Sequence, residues 1–394
     1  MTSVPDARAG RETSGAPPVV GEDAGSPPEA GAPGAAAPPD PVGAAPPRQA
    51  DEKPAAGQPA ASPARRLRAL DAARGLAIVV MLVVMNPGPA GELPAQLHHP
   101  DWHGLTFADL FFPLFLFAVG VAMTLSPRGG DARHVLFRAG VLLVIGIALG
   151  SLKHERFAVT GVLQHIAGAY VVAFAVLRAP RRWQLPITVG LLGAYWLAFV
   201  VGAPGDDPWA QSGTLAHRVD ETLLPGFTSE GTLQTLISAV TVLGGAFTGR
   251  VIAAVADRRE LLARLAGAAT VLIAAGLVLA TVVPVNKRLW TPSFTVLTLG
   301  TSLAWLALGT WLIDLRGARR STAPLVHLGA NPIAIYVGFF ASLSLLRNYG
   351  DGLTPDIAPG GSVVAGAFVY AAAWTALWWL IAYLLYRRRI YIKI

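Results

Sequence analysis

Between residues 67 and 386 the sequence carries ten apolar runs, at 67–86, 105–126, 133–151, 157–177, 184–202, 232–256, 262–283, 294–314, 324–346 and 362–386. Each approaches the roughly 20 residues that an α-helix needs to cross the hydrocarbon of a bilayer. Within a bilayer every backbone N–H and C=O must find its partner inside the protein, so runs of this length form helices. The expected fold class is therefore all-α, a polytopic membrane protein with about ten transmembrane helices. Composition agrees: the chain is 53% hydrophobic and only 14% charged, where soluble domains carry about a quarter charged residues.

The basic residues are unevenly distributed between the runs. Alternate connections hold the clusters at Arg65, Arg66 and Arg68, at Arg128 and Arg133, at Arg178, Arg181 and Arg182, at Arg250, Arg258, Arg259 and Arg264, at Arg316, Arg319 and Arg320, and at Arg387, Arg388, Arg389 and Lys393. The other connections hold only Lys153, Arg156, Arg218, Lys287, Arg288 and Arg347. By the positive-inside rule both termini are expected in the cytoplasm, and the loop between the first two runs faces outward. The net charge of +7 thus reports topology, and nucleic acid is not an expected partner because no soluble domain presents a basic face. Residues 1–64 are rich in Ala, Pro and Gly and poor in large apolar side chains, the composition of a disordered tail. Residues 65–394 form the expected membrane domain. No removable signal peptide is expected from the arrangement of the first residues. No internal repeat points to an inverted-repeat transporter, and the external loop at 203–231 reads as a polar connection or part of an outer lip. The chain has no cysteine, which leaves His, Ser, Thr, Asp, Glu or Lys for any nucleophile or ligand.

Chemistry concentrates at the mouth of the second run. "QLHHPDWHGLTFADLFFPLFLFAVG" places His98, His99, Asp101, Trp102 and His103 just ahead of the helix. Pro100 holds His99 in an extended conformation, and Trp102 supplies a flat apolar face beside it. Thr106 and Asp109 have capping-box spacing, so Asp109 is either a helix cap alone or also a functional carboxylate. Asn86, followed by Pro87 and Gly88, ends the first run at the same face. Asn86 and Asp109 can therefore converge on His99, fixing its tautomer. At the other end of the first run Asp71 and Arg74 lie three apart on one helical face, within the cytoplasmic half of the membrane, where an ion pair is either a packing lock or a functional site. His165 with Gln164, and Asn331, read as packing contacts. Three classes stay open: catalysis; an external metal site at His98, His99, Asp101 and His103; and a small-solute or proton-coupled relay through Asp71, Arg74, His165 and Asp109.

A series of blocks narrows the choice. "RLRALDAARGLAIVVMLVVMNPG", "HHPDWHGLTFADLFFPLFLFAVGVAM", "GVLQHIAGAYVV", "EGTLQTLISAVTVLGGAFTG", "NKRLWTPSFTVLTLG", "GANPIAIYV" and "YRRRIYIKI" resemble, in order and over nearly all of 65–394, the heparan-alpha-glucosaminide N-acetyltransferase family and its bacterial relatives. The resemblance implies a transmembrane acyltransferase that takes acetyl from cytoplasmic acetyl-CoA and delivers it to an amino sugar or related glycan on the other side. It places the catalytic residues at His99, Asn86 and Asp109. With it, Arg74 and Asp71 are expected to hold the donor, and Trp102, His103 and His98 to meet the acceptor. No metal is expected, the location is the plasma membrane, and a homodimer is compatible with the pattern. The sequence departs from the family's blocks in three places: His103 stands for the usual Asn after Trp, His98 is an added neighbour, and His165 stands for the usual Arg of "LQR". These departures bear on the acceptor pocket and on how the donor is held.

Overall fold

The computed structural model describes residues 67–86, 93–154, 159–203, 205, 207–223, 231–350 and 363–392. The expected tail, 1–64, lies outside them. Among the described residues all regular structure is helical. The chain runs through α1 (Arg68–Val84), α2 (Phe111–Leu125), α3 (Ala132–His154), α4 (Val162–Arg178), α5 (Arg181–Gly202), a short α6 (Leu215–Leu223), α7 (Thr232–Ala254), α8 (Arg258–Ala280), α9 (Pro292–Gly309), α10 (Ala323–Ala330), α11 (Pro332–Gly350) and α12 (Val363–Arg387).

Each of the ten runs falls on a helix, and the helices differ in apolar length. Among the described residues seven helices are long and apolar enough to cross a membrane, and α10 with α11 makes an eighth if the bent pair is one span. α1 and α4 have 17 residues each, and α1 also carries Asp71 and Arg74 in its first two turns. The run at 324–346 is a broken element with an 81° bend. Asn331 sits at the break, fully buried; its Nδ2 donates to the Ile390 carbonyl at 2.9 Å and its Oδ1 accepts from the Ile392 amide at 2.7 Å. The side chain read as a packing contact thus ties the closing residues to the bend, and Pro332 removes the amide that would continue the helix.

The protein is an all-α polytopic membrane protein with an inner and an outer set of helices. Within the spans, 78% of the α2 segment and 67% of α7 are buried in protein, against 17% of α5 and 11% of α12, whose apolar side chains face outward. Between membrane helices close backbone approach replaces the hydrophobic drive available in water. α2 and α7 meet in this way: a Cβ on Gly120 would lie 1.9 Å from the Val242 carbonyl oxygen. α1 and α10 do the same, since a Cβ on Gly75 would lie 1.8 Å from the Leu325 carbonyl oxygen. The first half of α1 is therefore clamped by α10. Its other end leads to the loop that carries the histidines.

Candidate active site

The loop before α2 is folded by its own polar groups. A single turn at Ala95–Leu97 lets the His98 ring fold back on Leu93, with Nε2 2.8 Å from that residue's carbonyl oxygen. The Phe107 amide donates to the Gln96 side-chain carbonyl at 3.1 Å, which closes the loop onto the helix start. His99, released by Pro100 into extended backbone, points to Asp109, and its Nδ1 lies 2.7 Å from Oδ1. A carboxylate only accepts, so Nδ1 carries the hydrogen and Nε2 keeps a lone pair. The other oxygen of Asp109, Oδ2, accepts from the Thr106 amide at 3.0 Å and the Thr106 hydroxyl at 3.1 Å. Asp109 is completely buried, whereas the His99 side chain is 38% exposed. The buried carboxylate thus holds one face of an accessible imidazole and caps the helix that begins beneath it.

A second connection, between α8 and α9, meets the first. The Gly104 amide donates to Val285 at 2.8 Å, and Asn286 Nδ2 donates to the Trp102 carbonyl at 2.9 Å and lies 3.3 Å from His103 Nδ1. The next residue, Lys287, reaches over His99: its Nζ is 3.0 Å from Nε2, 3.2 Å from Nδ1 and 3.4 Å from Asp109 Oδ1. Trp102 turns away from this group and donates its indole N–H to the Trp209 carbonyl at 2.7 Å. Trp209 in turn stacks on Phe199 with ring centroids 5.2 Å apart. Trp102 is thereby the bolt between the histidine loop and the segment after α5.

Below His99 and Lys287 lies a cavity of about 40 Å³, walled by Val80, Met81, Val84 and Met85 of α1 and by Phe112 and Val162. A smaller one, about 10 Å³, continues along α1 between Ile78, Phe115, Ile166 and Tyr336, and the two share Met81 and Val162 as wall residues. An imidazole with Nδ1 fixed by Asp109 and Nε2 beside the Lys287 ammonium at the edge of this space can take a proton from, or form a bond with, a group placed there when that ammonium moves aside.

The family model described as heparan-alpha-glucosaminide N-acetyltransferase, catalytic, matches residues 66–210. The curated heparan-alpha-glucosaminide N-acetyltransferase of Mus musculus is 29% identical over 413 residues, covering 84% of this chain and 61% of that protein. The Homo sapiens protein of the same name is 28% identical over 438 residues, covering 88% and 63%. The chain is thus similar to this family, through the family model over 66–210 and through these relatives over most of its length. It spans about three-fifths of the length of these curated relatives. The matched region holds Asp71, Arg74 and Asn86 at the two ends of α1, the whole histidine loop, Asp109, His165 and Trp209; Lys287 lies beyond it.

The structure brings together His99 and Asp109 as the sequence leads one to expect. Asn86 is not among the hydrogen-bond partners of His99: it is 5% exposed, next to Met85 of the cavity wall, and its Nδ2 has no partner among the described residues. His98 and His103 are engaged with Leu93 and Asn286, and the described residues contain no group of three or more His, Asp or Glu placed to hold one ion. The loop folds the neighbouring histidines toward different partners, which parts the metal set that spacing had offered. Asp71 and Arg74 do pair, Oδ1 to Nη1 at 3.3 Å. They sit at the far end of α1, about 15–20 Å along its axis from Val84 at 1.5 Å per residue. His165 is buried, 2.7 Å from the Ser238 hydroxyl and in ring contact with Phe112 and Trp290. Sequence reasoning missed Lys287. The available signal was its place among the few basic residues of the outward connections.

Proposed function

We propose that the chain is a membrane-embedded acetyltransferase that moves acetyl from cytoplasmic acetyl-CoA to the amino group of an amino sugar or related glycan on the extracytoplasmic side of the plasma membrane. The observation that carries this reading is the His99–Asp109 pair, one buried carboxylate holding an accessible imidazole over a small apolar-walled cavity at the end of α1. Acetyl-CoA is too polar to cross a bilayer, so a thioester made on one side must be led through the protein to an amine on the other. The apolar walls of the cavity under His99 suit the acetyl end of the donor. Arg74, beside Asp71, is the group that meets the donor's phosphate-bearing end, since a guanidinium grips phosphate oxygens in pairs. At the outer end His99 Nε2 takes the proton of the attacking amine, or accepts the acetyl group and passes it on. Asp109 keeps the imidazole in the tautomer that this requires. Asn86, whose buried Nδ2 has no partner among the described residues, meets a substrate oxygen rather than His99. His98 and His103 border the acceptor, and Trp102 holds the outer rim closed against Trp209.

The test is incubation of the detergent-solubilised protein with labelled acetyl-CoA and a panel of amino sugars and cell-wall fragments. Labelled acetylated amine, lost in His99→Ala, is the expected result. Absence of both labelled product and CoA release across the panel would overturn the reading and favour a transporter.

A further inference from the structure

Lys287 is held with more care than a loop lysine needs. Asn286, fully buried, accepts the Leu289 amide on Oδ1 at 2.9 Å, while its own amide nitrogen is 3.0 Å from the Thr291 hydroxyl. The Tyr195 hydroxyl donates to the Leu289 carbonyl, and the Trp290 amide donates to Lys287 at 3.1 Å. Trp290 itself has φ of +52° and is 1% exposed. A bulky residue in left-handed backbone is strained, and such strain persists only where the surroundings impose it. The turn is a fixed pedestal, and what stands on it is an ammonium 3.0 Å from His99 Nε2.

We propose that Lys287 is a catalytic residue whose ammonium binds the acetyl carbonyl oxygen and stabilises the negative charge that develops on it. This rests on the acetyl-transfer reading above. In the direct route the acceptor nitrogen attacks the thioester carbon, a C–N bond forms, and the carbonyl π pair moves onto oxygen. Lys287 donates a hydrogen bond to that oxygen. The pair then returns to re-form C=O, the C–S bond breaks, and its electrons leave on the CoA sulfur. His99 Nε2 takes the surplus proton of the amine and hands it to the sulfur, so the products are the amide and the CoA thiol. If acetyl first passes to Nε2, the same oxygen carries the charge in both halves. Asp109, 2.7 Å from His99, would on its own repel an oxyanion, and Lys287, 3.4 Å from its carboxylate, supplies the opposing charge. A carbonyl brought to Nε2 falls within reach of Nζ, which moves from the lone pair to the oxygen as substrate arrives.

The cysteine-free chain gives a clean test. Lys287→Cys would carry a single thiol, which bromoethylamine converts to a side chain bearing an ammonium and iodoacetamide to a neutral one. We expect Lys287→Cys to lose roughly 10²–10³-fold in kcat, the size of an oxyanion-donor deletion, with KM for acetyl-CoA little changed. Aminoethylation should restore most of that loss and iodoacetamide none. The defect of the iodoacetamide form should shrink at least about tenfold with fluoroacetyl-CoA, whose oxyanion needs less help. Three results would overturn the assignment: Lys287→Cys as active as the parent, a loss confined to KM, or a defect equal for both donors, which would mean that the lysine only positions His99. Should the cysteine variant not fold, Lys287→Met and Lys287→Arg are read with the same two donors. A parent protein that transfers no acetyl at all would instead sink the acetyltransferase reading and the lysine assignment with it.

Discussion

Asp109 uses its two oxygens on different partners, and that division makes its roles separable. Thr106 and Asp109 were legible as a cap, and a carboxylate was legible as a partner for His99, but spacing alone left the two as rival accounts. The geometry shows one side chain doing both, Oδ2 to Thr106 and Oδ1 to His99. Asp109→Asn keeps an oxygen for one of these bonds and loses the charge that holds the imidazole hydrogen on Nδ1. Its kcat should fall by about 10²–10⁴-fold, as for removal of a tautomer-fixing carboxylate. Thr106→Ala, which removes only the hydroxyl bond to Oδ2, should cost about 0.5–1.5 kcal/mol of stability and little activity. Turnover in Asp109→Asn near that of the parent would show that His99 needs no orienting carboxylate. His98→Ala and His103→Ala should be far milder than His99→Ala and should shift preference between acceptors, because those rings contact Leu93 and Asn286 instead of the paired imidazole. Steady-state rates over the amine panel separate the three. Lys287 was legible only as one of the few basic residues of its set of connections, and its contact was not: 188 positions separate it from His99, and no local pattern reports a contact of that range.

At the scale of elements, hydropathy found the ten apolar helices because apolar length is a local property, and it missed α6, whose His217, Arg218, Asp220 and Glu221 leave no apolar run in a stretch read as a connection. It did not find the bend at Asn331, although the Asn-Pro step is a breaker signal, because the apolar run continues unbroken across it. Nor did it show which glycines are contacts. Gly75 and Gly140 look alike in sequence, each a glycine inside an apolar run. A Cβ on Gly75 would lie 1.8 Å from the backbone of Leu325, whereas one on Gly140 of α3 would meet nothing within 4 Å. Backbone cannot step aside as a flexible side chain can. Gly75→Ala should therefore destabilise by about 1–3 kcal/mol, the usual cost of overpacking. Gly140→Ala should be neutral or stabilising by up to about 1 kcal/mol through helix propensity. Thermal unfolding in one detergent compares them; equal midpoints would mean that α1 and α10 do not approach this closely. Arg74→Ala tests the same interface from the functional side. It should raise KM for acetyl-CoA with the fold retained, and an aggregated protein with donor affinity unchanged in the surviving fraction would identify the pair as a packing lock.

The proposed reaction requires the molecule as a whole to have two faces, and α1 joins them. Asp71 and Arg74 lie near its start, and Asn86 and the cavity under His99 lie at its end. That order has meaning only if the histidine loop is outside and the arginine-rich connections are inside, which the sequence indicates through charge bias and the helices leave free in sign. Two single cysteines in this cysteine-free chain fix it. Ala95, exposed in the turn before His98, belongs to the histidine loop; Ser321, exposed beside Arg319 and Arg320, belongs to a basic connection. With an impermeant maleimide on intact cells, Ala95→Cys should label and Ser321→Cys should label only after lysis. The reverse pattern would place His99 in the cytoplasm beside the donor pool. Transfer across the membrane would then have no purpose, and the cavities along α1 would need another explanation.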